Sequence, residues 1–128
     1  MPILDSFKVV NVGSSSPSFS ITKNGITFNK AVIETLKSPK YVVALLNEDT
    51  KQMAIQVAER TQKDSQIFVR EREYDAPINV RWNFKNFTLS LASMMNWNLS
   101  EEKGYQIHGE YFSEELAIIF DFTKALPL

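Results

Sequence analysis

Cysteine is absent from this 128-residue chain, and histidine occurs once, as His108. The missing thiols exclude disulfides, cysteine nucleophiles and any zinc or iron–sulfur site held by cysteine. A chain without cysteine also fits a reducing compartment. Glu110 lies two residues from His108 on the same predicted strand face, but a solvent-facing strand histidine is the simpler interpretation. We therefore expect no metal site and no cofactor.

Long apolar runs and a strong charge of one sign are also missing. The longest runs, residues 41–46 and 116–120, are far shorter than the roughly 20 residues that span a bilayer. The N-terminus lacks a basic stretch followed by an apolar one, so we expect no signal peptide, no membrane partner and a cytoplasmic location. The net charge of −1 argues against strong electrostatic binding to nucleic acid.

Glycine is sparse, with 4 residues, whereas hydrophobic residues make up 44% of the chain and charged residues 23%. This is the composition of an ordinary globular protein, and the length suits one domain. Residues 1–18 end in Gly-Ser-Ser-Ser-Pro-Ser, which cannot cover a core. We predict a flexible N-terminal arm over 1–18 and a single domain over 19–128.

The pattern of residues 19–59 predicts a first unit of one strand, one helix and a β-hairpin. Apolar and polar residues alternate over 19–28, with Asn24-Gly25 between them. Asn-Gly is a strong turn signal that makes either a tight hairpin or a bend in a continuing strand. The short segment after it favours the bend.

The helix of this first unit is predicted over 30–37, with Asn29 as its N-cap and Pro39 after its end. Residues 41–46 are rich in β-branched side chains, and 51–57 alternate between apolar and polar. These two segments predict the hairpin.

The pattern repeats in residues 77–124, after a connector over 60–76. A strand over 78–82 and a cap at Asn83 precede a helix over 84–96. That helix carries the best apolar periodicity of the chain, at Phe84, Phe87, Leu91 and Met94. A hairpin follows, with strands over 105–112 and 116–122.

Two such units predict one α+β domain of two strand–helix–β-hairpin units. The units would form a mostly antiparallel, barrel-like sheet with pseudo-twofold symmetry. The short apolar tail, residues 125–128, is expected to dock on this body.

The segment from Asn24 to Leu36, followed by Tyr-Val-Val-Ala-Leu-Leu-Asn-Glu-Asp from Tyr41 and Met-Ala-Ile-Gln-Val from Met53, resembles the AbrB/MazE swapped-hairpin family. The resemblance covers about residues 19–58. The family's proline between strand and helix is replaced by Phe28-Asn29, and its glycine after the leucine by Lys-Ser-Pro. In that family two such units interleave into a barrel that binds DNA, so the resemblance implies a DNA-binding regulator in which this chain supplies both units.

Basic residues cluster around the two predicted helices. If the units pair about a twofold axis, these side chains form one surface of the kind that phosphate binding needs. The alternative is a set of ordinary solvated lysines on helix faces. The predicted DNA-binding residues are Lys23, Lys30, Lys37, Arg81 and Lys85, with Lys40 beside them.

Our leading functional prediction is thus a small non-enzymatic regulator that binds DNA. Asp121 lies in an apolar strand without a paired carboxylate, and the Gly-Ser-Ser-Ser stretch lacks a phosphate loop's spacing and lysine. Two alternatives stay open. One is an interaction module, contacting another protein or its own copy as a homodimer, through a charged edge strand at residues 67–74 or the apolar tail. The other is a small-molecule sensor.

Overall fold

The computed structural model describes residues 16–69 and 79–128. The strands are β1 (Ser18–Thr22), β2 (Gly25–Phe28), β3 (Tyr41–Asn47), β4 (Gln52–Ala58), β5 (Gln66–Ile67), β6 (Val80–Trp82), β7 (Tyr105–Phe112), β8 (Ala117–Asp121) and β9 (Leu126–Pro127). The helices are α1 (Lys30–Thr35), α2 (Lys85–Met95) and a short 3-10 helix, Phe122–Lys124.

The strands form one antiparallel sheet that curls into a half-barrel, in the order β5-β3-β4-β8-β7-β1-β2-β6. Strand β7 lies at the curl, because its first half pairs with β1 up to His108 and its second half pairs with β8 from Gly109. The C-terminal β9 also pairs with β7, and Leu128 N donates to the Gly104 carbonyl at 3.0 Å. The predicted docking of the tail is therefore confirmed.

The inner face of the half-barrel holds the core. Alternate residues of the central strands point inward and are almost fully buried, as the two-residue period of a strand requires. The phenyl rings of Phe19 and Phe120 pack edge to face with their centroids 4.9 Å apart. Leu91, from the middle of the predicted apolar stripe of α2, is also fully buried.

The predicted fold class, two strand–helix–β-hairpin units with pseudo-twofold symmetry, is wrong. Asn24-Gly25 makes a hairpin and not a bend: β1 and β2 pair with each other, and Thr22 lies opposite Gly25. Gly25 takes a φ of +127°, and a Cβ there would collide with the carbonyl oxygen of Trp82. The first half therefore begins with a hairpin of its own.

The helices also differ between the halves. α1 has 6 residues and α2 has 11, so α2 is the one substantial helix in the described part of the chain. Asn29 caps α1 as predicted, since its side chain accepts a hydrogen bond from Val32 N at 3.1 Å. The predicted cap at Asn83 is wrong, because the N-cap of α2 is Phe84, which makes no side-chain capping bond.

The two predicted hairpins are confirmed as β3–β4 and β7–β8, with ends within one residue of the prediction. Strand β5 pairs with β3 at the end of the sheet order, so the edge strand predicted over 67–74 is confirmed only at Ile67, because Phe68 and Val69 lie outside any strand. The rest of the predicted edge strand, residues 70–74, lies outside the described residues, as do 1–15 of the predicted arm. The domain boundaries stay predictions.

Across residues 16–69 and 79–128, no helix is long and apolar enough to cross a membrane.

Candidate functional site

Among the described residues, the sheet order ends at β5 on one side and at β6 on the other, and we call the place where these two ends approach each other the seam. Phe68, which follows β5, and Trp82 of β6 are each 4% exposed, and their rings meet edge to face at 6.0 Å. Phe68 is held beside β3, because its backbone N–H donates to the Lys40 carbonyl at 2.8 Å. The two rings form a buried apolar contact across the seam.

A cleft of about 570 Å³ opens at this seam, and we call it the seam cleft. One wall is aromatic and comes from β6 and the start of α2, through Trp82, Phe84 and Phe87. The other wall comes from β3, the loop before β5 and β5 itself, through Ala44, Asp64 and Gln66. A volume in this range and a mostly apolar lining are typical of sites that bind small molecules.

The aromatic wall is built locally by six consecutive residues, from Trp82 to Phe87. Strand β6 ends at Trp82 and α2 begins at Lys85, so Phe84 and Phe87 lie one helical turn apart and share a face. Their ring centroids lie 5.5 Å and 6.4 Å from that of Trp82. Phe84 remains 44% exposed although it borders the core. The wall therefore offers a flat ring the exposed part of Phe84, which is supported from behind by the buried Trp82.

Trp82 is also an incompletely satisfied residue. Its indole Nε1 is buried and has no hydrogen-bond partner among the residues that the structure describes. The neighbouring rings belong to Phe28, Phe68, Phe84 and Phe87, none of which carries a polar acceptor. Because a buried donor without an acceptor costs about 1–3 kcal/mol, such groups are rare and call for an explanation.

Opposite charges line the two sides of the seam cleft. Lys85 is the first residue of α2, and the backbone N–H groups of the first helical turn have no carbonyl partner within the helix. Asp64 lies on the other wall at a left-handed φ of 62°, in a loop closed by a hydrogen bond from Ser65 Oγ to the Arg60 carbonyl at 3.2 Å. Both are exposed residues of the described chain, and no ion pair joins them.

The predicted DNA-binding residues fall in several places. Lys23, in the β1–β2 turn, and Lys85 line a second cleft of about 470 Å³, which we call the lysine cleft. Arg81 is exposed on β6 and lies opposite Thr27 of β2. The structure thus brings two of the five residues into one cleft, with a third on the adjacent strand.

The other two lie around α1. Lys30 begins α1, and its ammonium group lies 3.5 Å from the carboxylate of Glu34. Lys37 follows the C-terminal end of α1 with a φ of 61°. Whether these residues bind DNA stays a prediction.

The other titratable candidates have structural surroundings. His108 and Glu110 are exposed on β7. Asp121 supports the turn after β8, where its carboxylate accepts from Thr123 N at 3.0 Å and from Thr123 Oγ1 at 2.6 Å. These bonds from Thr123 lower the pKa of Asp121, and the nearby Lys124 lowers it further. Within the described ranges, no group of three or more histidine, cysteine, aspartate or glutamate residues could hold a metal ion.

Sequence reasoning missed the seam cleft as a site. The apolar periodicity placed Phe84 and Phe87 on the buried face of the helix, but Phe84 is 44% exposed. A signal was present in the run Trp-Asn-Phe-Lys-Asn-Phe, which places three large rings within six residues at a strand-to-helix junction. Asp64 and Ala44 carry no such signal, because only the curl of the sheet brings them opposite that run.

Comparison with known proteins finds no matching family model, no similar curated protein and no similar solved structure. The resemblance of residues 19–58 to the AbrB/MazE family stays a prediction.

Proposed function

We propose that this protein is a non-enzymatic binding module whose seam cleft takes a small molecule with a flat apolar group. The observation that carries the proposal is the wall formed by Trp82, Phe84 and Phe87 in a cleft of about 570 Å³. Concave sites with apolar walls and a few polar groups are where proteins usually bind small ligands. Of the functions considered from the sequence, this is the small-molecule sensor.

The aromatic wall supports binding because its central ring, Trp82, is held in place before a ligand arrives. Trp82 is fixed between the rings of Phe28 and Phe68, at centroid distances of 5.0 Å and 6.0 Å. A wall that is already ordered adds little conformational cost on binding. The half-exposed ring of Phe84 supplies apolar surface that a flat ligand would cover.

Tryptophan fluorescence tests this proposal directly. The chain has 2 tryptophans, and Trp97 stacks on Tyr105 at 4.0 Å, so a Trp97→Phe variant leaves Trp82 as the single reporter. We expect a set of small aromatic compounds to contain members that change the Trp82 emission saturably and raise the melting temperature.

Two variants in which an alanine is replaced by phenylalanine locate the binding site. Ala44 lines the seam cleft, whereas Ala54 is opposite Leu45 and does not line it. Ala44→Phe should fill the cleft and abolish the emission change, and Ala54→Phe should leave it intact. Equal effects of the two variants, or no saturable response to any aromatic compound, would refute the proposal.

DNA binding is a second candidate, supported by the lysine cleft. Lys23 and Lys85 both line it, and none of the described residues in its lining is acidic. Arg81 is exposed on β6, four residues before Lys85, and supplies a third positive charge on the neighbouring element although it does not line the cleft. Neutralised phosphates release counterions, which makes such binding fall steeply with salt.

The salt dependence of DNA binding tests this second candidate. We expect weak binding at low salt, with a log–log slope of about −0.9 for each phosphate contacted. The double variant Lys23→Gln/Lys85→Gln should reduce the slope by about 2 relative to the native chain. Lys124→Gln is the matched control, since Lys124 lies in the 3-10 helix after β8. Salt-independent binding, or none at low salt, would exclude this function.

A further inference from the structure

The polar groups around the seam cleft indicate which charged groups its ligand should carry. Trp82 supplies the most specific of them, because it lines the cleft, is 4% exposed and has a buried Nε1–H that no described residue accepts. A donor left in this state favours a ligand that brings an acceptor. Because the Nε1 atom is buried, such an acceptor reaches it only if a neighbouring ring moves, and Phe84, which lines the cleft and is 44% exposed, is the most accessible of these rings.

The start of α2 adds further donors on the same side. Lys85 brings a positive charge, and the N-cap Phe84 has no side-chain oxygen for the backbone N–H groups of the first turn. The helix dipole also favours negative charge there. Donors from three sources, the indole, the ammonium group and the helix start, suit a carboxylate.

The opposite wall of the cleft carries a negative charge in place of a positive one. Asp64 brings a carboxylate and Gln66 an amide, and both residues are exposed at the cleft. A ligand that was only anionic would face repulsion from Asp64. A ligand with an ammonium group near its carboxylate would meet an opposite charge on each wall.

We propose that the ligand of the seam cleft is a zwitterionic aromatic amino acid. Its ring would lie on the wall formed by Trp82, Phe84 and Phe87. Its carboxylate would lie toward Lys85 and the Trp82 indole N–H, and its ammonium group toward Asp64. This inference rests on the proposed function, since it specifies the ligand of the same cleft.

Four probes separate the charge requirements from the ring requirement. L-Phenylalanine carries both charges, 3-phenylpropanoate only the negative one, 2-phenylethylamine only the positive one, and benzyl alcohol neither. We expect L-phenylalanine to bind about tenfold more tightly than either singly charged probe, because charge-assisted hydrogen bonds contribute at this level.

The Trp82 indole N–H reports on the carboxylate. In ¹⁵N-labelled Trp97→Phe protein it gives the one indole N–H resonance. We expect L-phenylalanine and 3-phenylpropanoate to move this resonance downfield, as a new acceptor would, and 2-phenylethylamine to leave it near its free position. A resonance that is shifted upfield in the free protein and unmoved by either carboxylate would show that a neighbouring aromatic ring is its acceptor, and would overturn the carboxylate assignment.

Two charge-neutralising variants test the orientation of the ligand. Lys85→Gln should weaken L-phenylalanine and 3-phenylpropanoate about tenfold and spare 2-phenylethylamine. Asp64→Asn should weaken L-phenylalanine and 2-phenylethylamine and spare 3-phenylpropanoate. Lys124→Gln and Glu114→Gln, at exposed positions that do not line the seam cleft, should change none of the affinities.

The outcomes distinguish a failure of this inference from a failure of the proposed function on which it rests. If all four probes bind with similar affinity, the cleft binds aromatic rings but the zwitterion assignment is wrong. If none of these probes binds while larger aromatic compounds bind Trp82 saturably, the amino-acid assignment is wrong and the binding module stands. If no aromatic compound binds at all, both are wrong.

Discussion

The centre of the sheet and its seam are built from the same kinds of residues, but they differ in how completely those residues are buried and hydrogen-bonded. At the centre, Phe19, Ile118 and Phe120 are at most 1% exposed and carry no polar side-chain atom that needs a partner. At the seam, Phe84 is 44% exposed and Trp82 holds a buried donor with no partner among the described residues. The centre is thus optimised for packing. The seam keeps an exposed phenyl ring and a buried donor, neither of which improves packing. Departures of this kind are expected at functional sites.

The two regions are nevertheless continuous. Consecutive ring contacts join Phe120 to Phe19 at 4.9 Å, Phe19 to Phe28 at 5.7 Å, and Phe28 to Trp82 at 5.0 Å. The aromatic wall of the seam cleft is therefore the exposed end of a row of rings that begins in the core. This explains how a surface cleft can be rigid, because its wall is held from behind by packed side chains.

The largest expected effect contrasts Phe120 with Phe84. Phe120 is fully buried at the centre, so Phe120→Ala should lower the free energy of unfolding by about 3–5 kcal/mol. Phe84→Ala should lower it by less than about 1 kcal/mol, since the ring is partly in water already. Urea denaturation followed by circular dichroism measures both.

The same two variants should differ in the reverse sense for ligand binding. Phe84→Ala should weaken the binding of aromatic compounds detected by Trp82 emission, because it removes part of the aromatic wall. Equal losses of stability in the two variants would remove the distinction between centre and seam.

A smaller effect is expected at Asn29, which joins β1 to α1. Its Oδ1 accepts from Ser18 N and from Val32 N, both at 3.1 Å, and its Nδ2 donates to the Ser16 carbonyl at 2.9 Å. Asn29→Ala should destabilise the protein by about 2 kcal/mol, through the lost cap and the unpaired groups left behind. Asn24→Ala, at an exposed turn position, is the control and should change stability by less than about 0.5 kcal/mol. A loss at Asn29 no larger than at Asn24 would show that these bonds are replaced by water.

The features that sequence reasoning predicted correctly depend on near neighbours. The Asn29 cap, the β3–β4 and β7–β8 hairpins and the burial of Leu91 in α2 each follow from signals within about ten residues. Side-chain capping and alternation act over such distances, so a single sequence contains them.

The β1–β2 turn is an example of a feature that local sequence signals do not decide. Asn24-Gly25 suits both a hairpin and a bend, and the choice depends on which strands lie alongside. Here β1 also pairs with β7 and β2 with β6, through segments more than 50 residues away. Non-local pairing of this kind decides the topology and leaves no local pattern. The opposite wall of the seam cleft was unpredictable for the same reason.

The Trp82 indole offers a third test of the difference between centre and seam. Trp82→Phe loses apolar volume but also removes the buried unpaired donor, and these two effects oppose each other. We expect a change in the free energy of unfolding of less than about 1 kcal/mol. A loss of more than about 2 kcal/mol would mean that the indole N–H is hydrogen-bonded in the folded protein, and that the seam is as well satisfied as the centre. Trp97→Phe, which keeps an aromatic ring next to Tyr105, is the control.

The smallest effect concerns Asp121, at the end of the central strand β8. Its folded-state pKa is lowered, chiefly by the hydrogen bond from Thr123, so its contribution to stability is present above the ordinary carboxyl pKa and is lost as the pH falls through the folded-state value. Asp121→Asn should therefore cost at most about 0.5 kcal/mol at neutral pH, and this difference should shrink in acid. Urea midpoints of both proteins, measured from neutral to acidic pH, provide the test. A difference that grows in acid would mean that folding raises the pKa of Asp121 instead of lowering it, and would contradict the role of the Thr123 hydrogen bond.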